Sequence, residues 1–379
     1  MGVLSRLRSE APATSVDEVA LRAAVGQVQD PELGLSLVDA GMLDDVSVDG
    51  RGRVTVTVRL TTPTCPLRQR LETDVRTAAL SVDGVTELRV QFAAMSDPER
   101  MALATRLRGE APSGRFGPDS STKVYAVASG KGGVGKSTVT ANLAAALAAQ
   151  GKRVGVLDAD VWGYSMPQLF GVRRAPVALK GLMLPVDAHG VAVMSVGFLV
   201  EDDAPVVWRG PMLHKAIEQF LVDVHWGELD VLLVDLPPGT GDVTISLTEL
   251  LPDAALLVVT TPQPAAETVA ARVGRMAQDM RMPVAGVIEN MSTLVCEACS
   301  HETPLFGEGG GARVASRLGV PLLGQVPLDQ PLRAAGDLGI PAVVAAPDAP
   351  SARELARIAA ELPVVRRSLV GRSLPLSVV

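Results

Sequence analysis

The sequence predicts an α/β domain built on a mainly parallel sheet, preceded by a small α+β domain. Three observations predict this. From about residue 123 to 365, short apolar runs alternate with helical patterns, as strands and crossover helices do. Runs such as 231–234 and 254–259 are apolar throughout, which suits strands buried on both faces. Residues 15–92 instead show period-two strands beside two helical stretches. A length of 379 residues fits about two domains, at roughly 150 residues each.

Each element follows in order. Helical spacing runs over 16–29, with Thr14 or Ser15 as cap and Asp30-Pro31-Glu32 as breaker. Residues 46–48 and 54–60 alternate around Asp49-Gly50-Arg51-Gly52, which reads as a hairpin. A loop over 61–66 carries Cys65; a helix over 67–80 and a strand over 85–92 complete the small domain, 15–92. Residues 93–121 hold one short helical stretch and then Gly, Pro and Ser, a linker composition. In the second domain, 122–365, the expected strands are 124–128, 153–157, 191–195, 231–235, 256–260, 284–288 and 323–325. A final helix is expected over 348–362. Residues 366–379 form a tail in which Pro375 interrupts any amphipathic helix around Arg366, Arg367 and Arg372.

Composition excludes several classes. Hydrophobic residues make up 47% and charged residues 20%, unlike a disordered chain. The net charge of −7 lacks the electrostatic footprint of a nucleic-acid binder. No window offers about 18 uninterrupted apolar residues, so no membrane span is expected. The N-terminus lacks the apolar core of a secretory leader, and Arg6 spoils a myristoylation motif after Gly2. The three cysteines, Cys65, Cys296 and Cys299, fit a reducing cytoplasm better than a disulfide scaffold.

The strand at 124–128 leads into Gly130-Lys131-Gly132-Gly133-Val134-Gly135-Lys136-Ser137-Thr138, and a helix follows. This satisfies G-x4-G-K-[ST] between strand and helix. Glycines let backbone N–H groups surround phosphate oxygens, and the helix presents its positive end to them. Lys136 would neutralise the β- and γ-phosphates of ATP, Ser137 would ligate Mg²⁺, and Thr138 could donate to a phosphate.

The second lysine, Lys131, makes the loop resemble the deviant Walker A of the MinD/ParA/nitrogenase-iron-protein class, the SIMIBI/MinD-like P-loop NTPases. That resemblance implies an ATP-dependent homodimer in which Lys131 reaches the partner's nucleotide, much as an arginine finger does. It also implies catalytic roles for Lys131, Lys136 and Asp160. Asp158-Ala159-Asp160 ends one strand, and Asp235 ends another before Leu236-Pro237-Pro238-Gly239-Thr240-Gly241-Asp242. Acidic residues there face the ligand crevice. Asp235 looks like the Walker B carboxylate that holds Mg²⁺, Asp160 like the switch I aspartate that orients water, and Gly239 like the switch II glycine. In the same class the equivalents of Asn290, and of residues around Pro327 and Asp329, contact adenine.

Cys296-Glu297-Ala298-Cys299 gives two thiolates for one face of a soft metal or cluster. Two cannot complete a four-thiolate site. A two-fold dimer would bring two pairs together.

The Asp-Ala-Asp-Val-Trp-Gly run at 158–163, the Pro-Pro-Gly-Thr-Gly-Asp turn at 237–242, Glu289-Asn290-Met291-Ser292 and the cysteine pair with its following glycines resemble the Mrp/ApbC branch of this class. Asp30-Pro31-Glu32 and Thr61-Thr62-Pro63-Thr64-Cys65-Pro66 resemble the small iron–sulfur assembly domain fused to many of its members. The resemblance implies a cytoplasmic carrier that binds a [4Fe–4S] cluster at a homodimer interface, hydrolyses ATP slowly, and serves apo iron–sulfur proteins and a cluster assembly scaffold. Three alternatives stay open: a MinD/ParA-like partitioning ATPase, an electron-transfer ATPase resembling the nitrogenase iron protein, and structural zinc at the same thiols. Cys65 reads equally as a reactive thiol or a small buried hydrophobe.

Overall fold

The computed structural model describes residues 16–364, apart from 50, 63, 64, 66, 110–115, 118, 119, 162, 200–209, 240–246, 248, 297 and 300. They form two compact units, one made of residues up to 111 with Val177–Leu184, the other of the remainder.

In the first unit a helix spans Glu18–Gly26. Its cap is Asp17, whose carboxylate accepts from Val19 N and Ala20 N; the expected caps, Thr14 and Ser15, lie outside the described residues. A short ladder joins β1 (Gln29–Asp30) and β2 (Leu35–Ser36). The expected hairpin is β3 (Leu43–Val48) against β4 (Arg53–Leu60). β4 buries Val54, Val56, Val58 and Leu60, as its period of two demands. The helix Arg68–Leu80 crosses back so that β5 (Glu87–Ala94) lies parallel to β4.

The segment read as linker opens with a full helix, Asp97–Gly109, which buries Leu103, Ala104 and Leu107. Ser96 starts it, with both its N–H and hydroxyl donating to Glu99, a capping arrangement that composition does not reveal.

The second unit holds β6 (Lys123–Ser129) and β7 (Val154–Asp158). Between β7 and the rest of its sheet the chain makes β8 (Val177–Leu179) and β9 (Leu182–Leu184), a separate antiparallel pair. The central sheet continues with β10 (Val186–Ala188), β11 (Val191–Ser195), β12 (Val231–Asp235), β13 (Ala255–Thr260), β14 (Val284–Val295), β15 (Glu302–Thr303) and β16 (Leu322–Leu328). Its order is β10-β11-β7-β12-β6-β13-β14-β15, with β16 on β14. From β11 through β14 in this order the strands run parallel to one another, whereas β10 and β15 pair antiparallel at the ends. Every residue of β7, β12 and β13 is buried, which explains their unbroken apolar runs.

β8 and β9 pack with the first unit. Leu179, Leu182 and Leu184 share a core with Leu103 and Leu107. Lys180 and Gly181 both take positive φ, making a two-residue turn. Lys180 Nζ lies 3.0 Å from Asp97, and Arg108 Nη2 donates to the Lys180 carbonyl at 2.8 Å. A leucine-rich stretch that follows the helix Met166–Leu169 in sequence thus completes the N-terminal core.

Candidate nucleotide and cysteine sites

The carboxyl ends of the central strands gather the acidic residues. Asp235 on β12 pairs in register with Asp158 on β7, so two carboxyls stand side by side at the sheet edge. β6, the next strand, runs directly into the glycine loop. Gly133 and Gly135 both have φ of +79°, where a Cβ is disfavoured. Gly130 is small for another reason: a Cβ there would sit 2.4 Å from the Ala270 backbone nitrogen, so the helix Pro264–Asp279 can approach. Gly135 begins the helix Lys136–Ala149, which points its free N–H groups into the loop.

Lys136 is nearly sealed. Its ammonium donates to Asp235 Oδ2 at 2.6 Å, lies 3.9 Å from Asp160 Oδ2, and also donates to Ser137 Oγ. Ser137 Oγ donates to the same Asp235 oxygen at 2.6 Å. Thr140 Oγ1 reaches Asp235 Oδ1 at 2.8 Å. Sequence reading missed Thr140, although it lies one helical turn beyond Lys136 on the same face. Lys136, Ser137, Asp160 and Asp235 are therefore already assembled. The hydroxyl and carboxylate oxygens of Ser137 and Asp235 form a hard donor pair suited to Mg²⁺. Thr138, half-buried, gives its carbonyl to Asn142 Nδ2.

Asp158 and Asp160 divide their work. Asp158 accepts from Asp160 N, Ser165 N, Met166 N and Ser195 Oγ, which organises the turn after β7. Burial, then the Asp235 carboxylate, pushes its carboxyl up to about 7. Asp160, two residues on, accepts from Gly163 N and faces Lys136. Gly239, with φ of +94°, donates its N–H to the Ser129 carbonyl at 2.8 Å, beside the loop. Residues 240–242 of that turn lie outside the described residues.

Lys131 does not touch this cluster. Its ammonium donates to Gln263 Oε1 at 3.0 Å, at the cap of the Pro264–Asp279 helix. Asn290 does reach the loop, donating from Nδ2 to the Val134 carbonyl at 2.9 Å. Asp329 caps the helix Gln330–Leu338 through Leu332 N and accepts twice from Ser351. That carboxylate is committed to joining two helices. Pro327 is half-buried near the end of β16.

The cysteines occupy a hairpin tip. β14 turns back into β15 with Val295 opposite Glu302, and Cys296 N donates to the His301 carbonyl at 3.0 Å. Cys296 and Cys299 are both exposed. Among the described residues no three His, Cys, Asp or Glu side chains cluster as a metal site. The glycines that follow serve packing. A Cβ on Gly310 would meet the Pro262 carbonyl at 2.7 Å, and one on Gly311 would meet Glu289 Cβ at 2.6 Å. Cys65 belongs to the first unit, half-buried against its apolar core.

The family model for NUBPL iron-transfer P-loop NTPases matches residues 120–363, and that for iron–sulfur cluster assembly proteins matches residues 18–91. An iron–sulfur cluster carrier protein of Mycobacterium leprae (strain TN) is 49% identical over 366 residues, covering 94% of this chain and 95% of the relative. Its namesake in Mycobacterium tuberculosis (strain ATCC 25618 / H37Rv) is 50% identical, covering 94% and 96%. The chain belongs to the iron–sulfur cluster carrier family. It is thus a P-loop ATPase of the MinD/ParA type. Among solved structures, a nucleotide-binding protein from Archaeoglobus fulgidus in complex with ADP is 36% identical, with a TM-score of 0.54, covering 65% of this chain and 94% of that one.

Glu289 stands in the sequence only as part of a motif, and its bonding is not legible there. Glu289, only 1% exposed, accepts from Gly311 N and from Gln325 Nε2. It ties the glycine cluster and β16 to the strand that carries Asn290. An isolated Glu at the end of an apolar run gives no sign of this, because its partners lie 22 and 36 residues away. No helix among the described residues is long and apolar enough to cross a membrane.

Proposed function

We propose that two copies of this chain bind ATP and hold a [4Fe–4S] cluster between their cysteine hairpins, passing it to apo iron–sulfur proteins in the cytoplasm. The observation that carries the reading is the exposed pair Cys296 and Cys299 at a hairpin tip, with no third metal-binding side chain clustered beside it among the described residues. Two thiolates from each of two copies give the four that such a cluster takes.

The nucleotide half follows from the loop. Its N–H groups and Lys136 bind the phosphates, while Asn290, with backbone around Pro327 and Asp329, lies toward the adenine side. Ser137 and Asp235 would hold Mg²⁺, which would offset the phosphates' charge. Asp160 orients the attacking water. Lys131 acts across the dimer and leaves Gln263 to do so. Turnover is slow in this reading, because Asp160 orients the water without removing its proton and the nearby Asp158 is spent accepting from Ser195 and three backbone N–H groups. ATP binding and hydrolysis then bias the dimer between arrangements that hold and release the cargo.

The test is anaerobic reconstitution, reading iron, sulfide and visible absorbance per dimer, with and without ATP. The wild type should take up a cluster, and Cys296→Ala/Cys299→Ala should not. Zinc alone in the wild type, or an unchanged chromophore in the double variant, would sink the proposal.

A further inference from the structure

The nucleotide loop and the thiol pair meet on one strand. Asn290, on β14, donates to the Val134 carbonyl. A Cβ built on Gly135 would lie 2.2 Å from Asn290 Nδ2 and 3.6 Å from Met291 Cε. Asn290 therefore packs directly on the loop, and the end of the Met291 side chain lies near the same place. Five residues after Met291 comes Cys296.

The backbone is irregular at that junction. Met291 has φ of +56°, one of four non-glycine positions with positive φ among the described residues. A residue with a Cβ is disfavoured there by about 1–2 kcal/mol. The pairing of β14 with β16 also shifts register between Asn290 and Leu294. On the upstream side the strand is pinned, because Glu289 holds Gly311 N and Gln325 Nε2. On the downstream side it is an ordered hairpin, Leu294 opposite Thr303 and Val295 opposite Glu302. The irregularity thus sits at one point, between the pinned part of β14 and its pairing with β15. Coupling needs an element that can take two arrangements, and an irregular residue at this junction is where the strand could supply one.

We propose that Met291 is the positioning residue that couples nucleotide in the P-loop to the cysteine hairpin. This rests on the reading that the loop takes ATP and the hairpin holds the cluster. When phosphates draw in the loop N–H groups and Lys136, the backbone at Val134 and Gly135 moves against Asn290 and Met291. The bulge then changes conformation and swings the arm that carries Cys296 and Cys299.

Hydrogen exchange of residues 292–303 in the full-length, metal-free protein tests this, with and without Mg²⁺ and a non-hydrolysable ATP analogue. Exchange should change several-fold on nucleotide addition in the wild type and in Met291→Leu, which keeps a long side chain against the loop. In Met291→Gly, which removes both the side chain and the strain, and in Met291→Ala, which shortens the side chain away from the loop, the change should vanish. Nucleotide affinity should stay within about threefold, below one 1.4 kcal/mol decade. An unresponsive wild-type hairpin, or a response that persists in the Gly and Ala variants, overturns the coupling. Anaerobic cluster loading of the wild type separates the two readings. Failure to load a cluster overturns the carrier reading alone, whereas loading with a persistent response in the Gly variant overturns the coupling alone.

Discussion

The Lys136 ammonium stands 2.6 Å from Asp235 Oδ2, with the two side chains 6% and 0% exposed. This pairing holds the lysine proposed for phosphate against the very oxygen proposed for Mg²⁺. On that proposal, nucleotide and metal part a buried ion pair together.

Asp235→Asn should lower the stability of the nucleotide-free protein by about 3–5 kcal/mol, because Lys136 loses its closest counter-charge in a sealed site. Phosphates can replace that charge. ATP without metal should thus raise the melting temperature of the variant more than that of the wild type. Hydrolysis should fall at least about 100-fold with the metal carboxylate gone. Equal ATP-induced shifts in a thermal melt would contradict this account.

Lys131→Ala should bind ATP normally yet lose hydrolysis by about 1000-fold or more, the scale of a charge supplied in trans. Mixing Lys131→Ala with Asp235→Asn is the sharper measurement. A mixed dimer contains one intact site served by the other chain's Lys131, so turnover should partly return. No recovery on mixing would place Lys131's action within its own chain.

Leu179→Ala should weaken the first unit, although position 179 falls inside the sequence span of the ATPase family model. Leu179 is 1% exposed within the N-terminal core, and truncations of this kind cost about 2–5 kcal/mol. Amide exchange should accelerate in Arg53–Leu60 and stay unchanged in Lys123–Ser129.

Asp230→Asn should remove an acid-labile part of stability. The Arg153 guanidinium and its backbone N–H donate to Asp230, holding that carboxyl down at about 2. The folded value lies below the unfolded one, so the stabilisation is present above about pH 4 and is lost as pH falls toward 2. The pair is solvent-exposed, so its worth is under about 1 kcal/mol. Denaturant midpoints measured from pH 6 to pH 2 should decline less steeply in the variant.

The sheet strands were legible because their burial is written in composition. The strands over 191–195 and 231–235 match the structure at both ends. β14 was not. Its apolar run stops at Ile288, but the strand continues to Val295, because β16 pairs with the polar Glu289 and Asn290 and β15 then pairs with Leu294 and Val295 beyond that polar break. The β8–β9 hairpin was missed for a related reason. Its turn, Lys180-Gly181, lacks the Asn-Gly or Asp-Gly signature.

By itself the sequence determined the glycine loop, its two lysines, the acidic strand ends and the cysteine pair. Each is a local pattern in which chemistry dictates residue type and spacing. The tertiary structure decided how those groups are partnered: Lys136 against Asp235, Lys131 against Gln263, and Asp329 as a cap. It also decided that Asn290 reaches the P-loop from the strand that leads to the thiols. Such pairings join residues up to 156 positions apart, and only the packing of the sheet brings them together.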